Sequence, residues 1–410
     1  MSADAGGNGG DEVVEDEVLS EYDSEGEEGV DVVSGGGVSG KTQGSGPRGS
    51  LAPRGPGAPV RVPEVSAGGE VDLFPGSAGG EGRLLSVCAS ADGGVALAGC
   101  SDGVLRQVGL SKEGAVLLAS EASVVADVGA PVTCVGYRPE SEDTQRSARG
   151  VAVAGTTAGE VCWVHVGGAK VLHRCPLADA SSGSSEAPSA VHCMAHAPLK
   201  GSVLAAAGDD GRIYVMDEAQ KRVVETLHGG NAMRTSAGHT SRVSALCWAD
   251  EGKADVLYSG GWDMTVQVWD RRVGPGSVSS LYGPYLCGDA LDVRGTTLLT
   301  GSRRSDAALQ LWDLRGAGGL LAAESHALSA AGPTDVYAAR FAGEDASRVL
   351  AGGGHGQVAL LPSGVTPLKG RTWRFTHPDA LPCYALAVRP GNHPAALAAM
   401  GPRMSLLPLA

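Results

Sequence analysis

Apolar and polar positions along this chain alternate in short runs, with the period of strands rather than helices. In Thr265-Val266-Gln267-Val268-Trp269-Asp270, Val266 and Val268 take one face and Thr265, Gln267 and Trp269 the other, which is the period of two that a β-strand requires. Apolar runs ending in glycine recur elsewhere: Val95-Ala96-Leu97-Ala98-Gly99, Val151-Ala152-Val153-Ala154-Gly155, Ala205-Ala206-Ala207-Gly208 and Leu350-Ala351-Gly352-Gly353. Tight turns follow them at Asp102-Gly103, Ala158-Gly159, Asp210-Gly211 and His355-Gly356, residues that tolerate left-handed backbone or bond their own backbone. The pattern divides the chain into seven units: 84–111, 132–166, 191–227, two within 238–314, 335–361 and 383–407. Their glycine-to-glycine spacing of about 40 to 56 residues fits a repeat built from one small sheet each.

The fourth and fifth units are the most explicit. One runs from Gly238-His239 through Tyr258-Ser259-Gly260-Gly261-Trp262-Asp263 to Trp269-Asp270; the next ends Ala308-Leu309-Gln310-Leu311-Trp312-Asp313-Leu314. These residues resemble the WD-repeat family, in which each repeat is a four-stranded blade of a β-propeller. The resemblance implies an all-β, seven-bladed propeller over residues 69–408, and a hydrogen-bonded set of four residues: His239, Ser259, Asp263 and Trp269. Such a set is structural, because a buried polar group left unpaired costs about 1–3 kcal/mol. The fifth unit keeps Thr300, Asp306 and Trp312 without a matching His, so a weaker network is expected there. The seventh unit runs out of chain after three strands. Val71-Asp72-Leu73-Phe74 has the alternation to complete it and so cover the open edge, with Val60-Arg61-Val62 as the fallback.

Charge separates the chain into two parts. Residues 1–40 hold twelve Asp and Glu and no Lys or Arg, so −12 of the total −14 lies there and only −2 elsewhere. Self-repulsion and little apolar surface predict a disordered tail over residues 1–68, acidic first and then rich in Gly, Pro and Ser. Ser20 and Ser24, each followed by acidic residues, resemble sites for an acid-directed casein-type kinase. Within the tail, Gly35 through Thr42 satisfies the phosphate-loop pattern. Gln43-Gly44-Ser45-Gly46-Pro47 follows and cannot make the helix that such a loop needs, so no nucleotide is predicted.

The remaining chemistry is sparse. Six Trp, eight Tyr and three Phe leave the core to Ala, Val, Leu and Cys. The nine cysteines include no Cys-x-x-Cys pair, and Cys88, Cys134, Cys193, Cys247 and Cys383 fall on the same strand face relative to the turn after each first strand; they read as buried thiols of a reducing compartment. His192-Cys193-x-x-His196 has metal-like spacing but lies in a predicted strand and lacks a fourth ligand. No apolar run approaches the ~18–20 residues of a membrane span, and no apolar segment opens the acidic N-terminus, which predicts an intracellular protein, cytoplasmic, nuclear or both. No basic patch with interleaved aromatics points to nucleic acid. Arg303-Arg304 and Arg371-Thr372-Trp373-Arg374 are candidate rim contacts, since Arg and Trp are favoured at interface hot spots. Trp269-Asp270-Arg271-Arg272 and Trp312-Asp313-Leu314-Arg315 resemble the box by which some WD proteins dock, here through Arg272 and Arg315, on the adaptor of a cullin-type ubiquitin ligase.

The expectation is a non-catalytic scaffold that binds other proteins, a monomeric propeller within a complex, without cofactor or metal and not an enzyme. Alternatives are a substrate receptor of a ubiquitin ligase and a structural subunit of a larger assembly. The fourth and fifth units faintly resemble propellers of the mitotic-checkpoint and messenger-export type, and a ciliary assembly is equally open.

Overall fold

Strands that alternate in burial and end in glycine fold back on one another, and each of the seven units forms one four-stranded antiparallel sheet. The computed structural model describes residues 69–74, 82–111, 117–139, 150–177, 188–198, 203–229, 238–250, 255–315, 319–324, 327–328, 335–343, 347–363, 373–390 and 395–409. From the channel outward, blade one is Leu84–Ala89, Val95–Cys100, Val104–Leu110 and Leu117–Asp127. Blade two is Val132–Tyr137, Val151–Thr156, Glu160–His165 and Lys170–Pro176; blade three is Val191–His196, Val203–Gly208, Ile213–Asp217 and Arg222–Leu227. Blade four is Val243–Trp248, Val256–Gly261, Thr265–Asp270 and Ser279–Tyr282; blade five is Leu291–Arg294, Thr297–Gly301, Leu309–Asp313 and Gly319–Glu324. Blade six is Val336–Ala342, Arg348–Gly353, Gln357–Pro362 and Trp373–Thr376.

Blade seven takes three strands, Cys383–Arg389, Ala395–Met400 and Arg403–Pro408, from one end of the chain and its outer strand, Gly69–Asp72, from the other. Gly69 pairs with Leu406 and Asp72 with Arg403, two residues earlier than the stretch that the alternation singled out. Val71 and Leu73 are buried in the seam. Glu70 is held there by His377, whose Nδ1 accepts the Asp379 N–H at 3.1 Å and whose Nε2–H reaches the Glu70 carboxylate at 2.7 Å. The fallback strand at Val60, the acidic tail, the phosphate-loop pattern, Ser20 and Ser24 lie outside the described residues.

The core lies between blades rather than within one. Each of the seven buried apolar clusters joins two neighbouring blades, including the one that joins blade seven to blade one through Leu397, Met404 and Leu406 against Leu84, Ala96 and Val108. Alanine and valine supply much of this packing, so backbones must approach closely. The glycines that end the second strands allow it: a Cβ at Gly155 would lie 2.7 Å from the Val191 side chain, and one at Gly301 2.6 Å from that of Val336.

One regular feature has no counterpart in the apolar pattern. In six blades the register of the innermost strand slips at its second residue: between Leu84 and Ser86, Val132 and Cys134, Val191 and Cys193, Val243 and Ala245, Val336 and Ala338, and Cys383 and Ala385. Blade five pairs from Leu291 to Arg294 without a slip. A bulge of this kind re-aims one side chain out of the pleat. It also divides the cysteines that sequence register grouped together. Cys383 precedes the bulge and packs between blades six and seven, whereas Cys88, Cys134, Cys193 and Cys247 follow it and pack toward the next blade.

Candidate interaction face

The six bulged residues are Leu85, Thr133, His192, Ser244, Tyr337 and Tyr384, and all six line one cavity of about 290 Å³ at an end of the central channel. Blade five contributes Cys287, Gly288 and Asp289 to the same wall. The side of blades four to seven is aromatic. Tyr337 and Tyr384 meet edge to face at 5.6 Å, and Trp262 meets Tyr285 at 6.1 Å. Two arginines lie on these rings, Arg242 at 4.2 Å from the Trp262 centroid and Arg303 at 5.8 Å from that of Tyr337. Each is also ion-paired with an acid, Arg242 at 3.5 Å from Asp209 and Arg303 at 3.4 Å from Asp335. Asp209 is more closely engaged by His192 Nε2, at 2.7 Å.

Asp289 carries charge into the channel. One carboxylate oxygen pairs with Arg340, whose guanidinium also donates to the Leu291 carbonyl at 2.9 Å. Burial pushes the Cys134 thiol up to about 12, and the Asp289 charge adds to that rise. Burial also raises Cys193 and Cys247, again with a contribution from Asp289. These thiols are therefore protonated at neutral pH and weak as nucleophiles or ligands. All nine cysteines are free.

His239, Ser259, Asp263 and Trp269 form one chain of hydrogen bonds in blade four. Trp269 Nε1–H donates to Ser259 Oγ at 2.7 Å, Ser259 Oγ lies 2.7 Å from His239 Nε2, and His239 Nδ1 lies 2.8 Å from Asp263 Oδ2. A neutral imidazole protonated on Nδ1 satisfies every member. Asp263 also accepts from the Thr240 N–H at 3.0 Å and from the Thr265 hydroxyl at 2.8 Å. The four groups contact one another, and the His239 and Asp263 side chains are 0% and 6% exposed, so the set ties the opening turn to the second and third strands rather than meeting a ligand.

Burial raises the Asp263 carboxyl, but the bonds from His239, Thr240 and Thr265 together outweigh it and hold it below its ordinary 3.8. A depressed acid stabilises the fold above its unfolded value and ceases to do so as pH falls through the folded one. Wild type should therefore lose stability more steeply below pH 3.8 than Asp263→Asn, which starts lower and stays flatter. Urea melts of the two proteins across that range check this; parallel pH slopes would contradict it.

The turn aspartates of other blades have different partners. Asp102 holds Arg106 through both oxygens, and Asp210 accepts from the Tyr214 hydroxyl at 2.6 Å. In blade five Trp312 Nε1–H donates to Thr300 at 3.0 Å, whereas Asp306 turns outward and clamps Arg304 at 2.6 Å. Asp306 thus faces Arg304 rather than the pair formed by Trp312 and Thr300.

The candidate contact residues are dispersed. Arg272 and Arg315 leave the ends of the third strands in adjacent blades, with side chains 68% and 73% exposed, each held by its own Asp270 or Asp313. Arg303 belongs to the channel mouth and Arg304 to its outer margin. Trp373 and Arg374 lie in the outer strand of blade six, where Trp373 is half-buried against the core shared with blade seven. His192 and His196 turn to different partners, Asp209 and the buried Glu218, and among the described residues no three His, Cys, Asp or Glu side chains converge on a metal position.

Beyond the bulged residues, Trp262, Met264 and Glu218 also escaped sequence reasoning. Trp262 and Met264 flank the turn aspartate of blade four and are 38% and 51% exposed; the signal was a large apolar residue where other turns carry small ones. Glu218, beside the end of a strand, gave no signal at all.

Comparison with known proteins is consistent with this architecture. The family described as "WD domain, G-beta repeat" matches residues 230–270. The ribosome biogenesis protein WDR12 homolog of Arabidopsis thaliana is 35% identical over 92 residues, which is 22% of this chain and 20% of that one. The homolog from Oryza sativa subsp. japonica is 35% identical over 97 residues, 23% and 21% of the two chains, and that of Nematostella vectensis 28% identical over 110, or 26% and 25%. The similarity thus spans only a fifth to a quarter of these relatives' length. A chain in the crystal structure of the mitotic checkpoint complex superposes with a TM-score of 0.62 at 15% identity, over 87% of this chain and 96% of that one, a likeness of fold.

Proposed function

We propose that this chain, a seven-bladed propeller carrying a WD repeat, is a non-catalytic scaffold that receives a segment of a partner protein at the channel mouth. The observation that carries this reading is the set of six bulges, which re-aim one side chain per blade into a shared cavity. Tyr, Trp and Arg gathered on a concave surface are the composition of an interface centre. The relatives' names, all ribosome biogenesis proteins, make assembly factors of that process the first companions to look for, and favour a nuclear site of action.

A second reading rests on Arg272 and Arg315, which are exposed at matching positions of adjacent blades and would serve a ubiquitin-ligase adaptor. Quantitative co-purification from the native cell separates the two. The full chain is compared with Tyr337→Ser plus Tyr384→Ser and with Arg272→Ala plus Arg315→Ala, each checked for an unchanged melt. The scaffold reading expects one stable complex that survives the arginine changes and is lost with the tyrosines. Loss with the arginines alone, together with recovery of a cullin adaptor in wild type, would favour the receptor. Absence of any stable companion would overturn both.

A further inference from the structure

The seam that closes the ring is a slot whose requirements can be read from its occupant. The third strand of blade seven, Arg403–Pro408, offers one edge, and Gly69–Asp72 pairs with it residue for residue. Val71 and Leu73 are 6% and 5% exposed, in one cluster with Leu84, Leu397, Met404 and Leu406. Glu70 is read from outside the strand. His377, its side chain 1% exposed, is fixed by the Asp379 N–H on Nδ1, so Nε2 carries the proton and donates to the Glu70 carboxylate at 2.7 Å. Arg403, held by Asp379 at 3.0 Å, adds its charge at 3.8 Å from Glu70. A strand without an acid at this place would leave a buried donor unpaired. The slot therefore takes the order acid, apolar, variable, apolar.

That order occurs twice in this stretch. Glu64-Val65-Ser66-Ala67 precedes Glu70-Val71-Asp72-Leu73 by six residues. An even offset keeps every side chain on its own face of the strand, where an odd one would invert them all. Val60-Arg61-Val62 does not fit: with its valines in the places of Val71 and Leu73, Pro59 replaces Glu70 and Arg61 falls opposite Arg403. The link to blade one accommodates the offset. The Leu73 N–H donates to the Pro402 carbonyl at 3.2 Å and the Leu84 N–H to that of Gly401 at 2.7 Å, so the ten residues 74–83 join two points on one turn. The sixteen residues 68–83 can join them as well, because the cost of closing a loop grows slowly with its length.

We propose that the ring closes in two registers, with residues 64–67 as the alternate occupant of the slot and His377 as the residue that admits either. The first register is the more populated. Ala67 fills less of the seam than Leu73, and Phe74, which Arg106 covers at 4.3 Å, has only Gly68 as its counterpart. In the alternate register Val71, Leu73 and Phe74 leave the seam and join the link, and the tail is six residues shorter. The seam is then a conformational device that exchanges one set of apolar residues for another while the ring stays closed. It stands independently of the scaffold reading.

Disulfide trapping in the full chain reads the register. Facing Cα atoms of antiparallel strands lie about 4.5–5.5 Å apart, within reach of a disulfide. Asp72→Cys with Arg403→Cys reports the first register, since these residues face each other, and Ser66→Cys with Arg403→Cys the second; His377 is untouched in both. The bonds are followed by peptide mapping under a mild oxidant, each variant first shown to keep the wild-type circular dichroism. The first bond should form about tenfold faster than the second or more, the scale set by exchanging a buried Leu for Ala. Glu70→Lys should reverse that order, and adding Glu64→Lys should abolish the second bond. Failure of the second bond to form in Glu70→Lys would overturn the proposal. So would its formation at the same rate with Glu64→Lys, which would mean that no carboxylate is read. If Glu70→Lys does not fold, Glu70→Gln serves the same test and should narrow the gap between the two rates; an unchanged gap overturns the proposal.

Discussion

Trp269→Ala should destabilise the propeller by about 3–5 kcal/mol, the range for removing a buried Trp side chain. Trp269 is fully buried in the cluster that joins blades three and four, against Ile213, Val215, Leu227 and Leu257. Truncation opens a cavity between two blades and removes the indole N–H that Ser259 accepts at 2.7 Å. Trp269→Phe retains much of the ring but loses the donor, and should cost less, about 1–3 kcal/mol for the polar part. Trp312→Ala is the internal comparison. Trp312 donates only to Thr300 and is 6% exposed, so the same change in blade five should cost less than in blade four. Urea unfolding followed by circular dichroism measures all three. A loss below about 1 kcal/mol for Trp269→Ala, or a larger loss at Trp312, would show that the blade-four network does not anchor the ring.

A comparable loss is expected from Glu218→Ala. The Glu218 side chain is fully buried, with His196 Nε2 at 2.8 Å from one oxygen and Arg138 Nε at 2.6 Å from the other. The arginine contact is close but poorly aimed for a hydrogen bond, so it acts mainly through charge. Removing the carboxylate strands a guanidinium that is itself only 17% exposed, and breaking a buried pair in this way costs about 3–5 kcal/mol. Replacing both partners, Glu218→Met with Arg138→Met, should recover much of that loss, because burial of two charges is itself unfavourable. Recovery would show that the loss in Glu218→Ala comes from the stranded guanidinium rather than from net stabilisation by the pair. A double variant as unstable as Glu218→Ala would mean that the charges contribute net stability.

Sequence alone made the blades legible where local chemistry repeats. Trp-Asp endings, turn aspartates and glycine-terminated strands announce themselves within a few residues, and the same signals located His239, Ser259, Asp263 and Trp269. The channel mouth was not legible. Leu85, Thr133 and Tyr337 share no residue type; what they share is a register slip, which exists only between paired strands. Glu218 was hidden for a similar reason: its partners come from the inner strand of its own blade and from the end of the inner strand of another, and nothing local marks a glutamate that will be buried. Trp262 and Met264 were visible as residues, but their exposure depends on how the blades pack around that turn. Asp306 shows the converse case, a residue of the right type at the right place that pairs with Arg304 at the surface instead.

The outer strand of blade seven also gives the molecule a history. Gly69–Asp72 is made before every other strand of the ring and the strand it pairs with, Arg403–Pro408, after them. Intermediate blades can stack on one another as they leave the ribosome. Blade one cannot cover its flank of Leu84, Ala96, Val108 and Leu110 until Leu397, Met404 and Leu406 arrive. Until then the nascent chain is an open arc with an apolar flank and a short strand awaiting its partner, a state exposed to aggregation and slow to resolve because the contact that ends it is so distant in sequence. Time, rather than equilibrium stability, is then the quantity most at risk: a cell makes this protein successfully when the arc is sheltered until the last strand closes the circle.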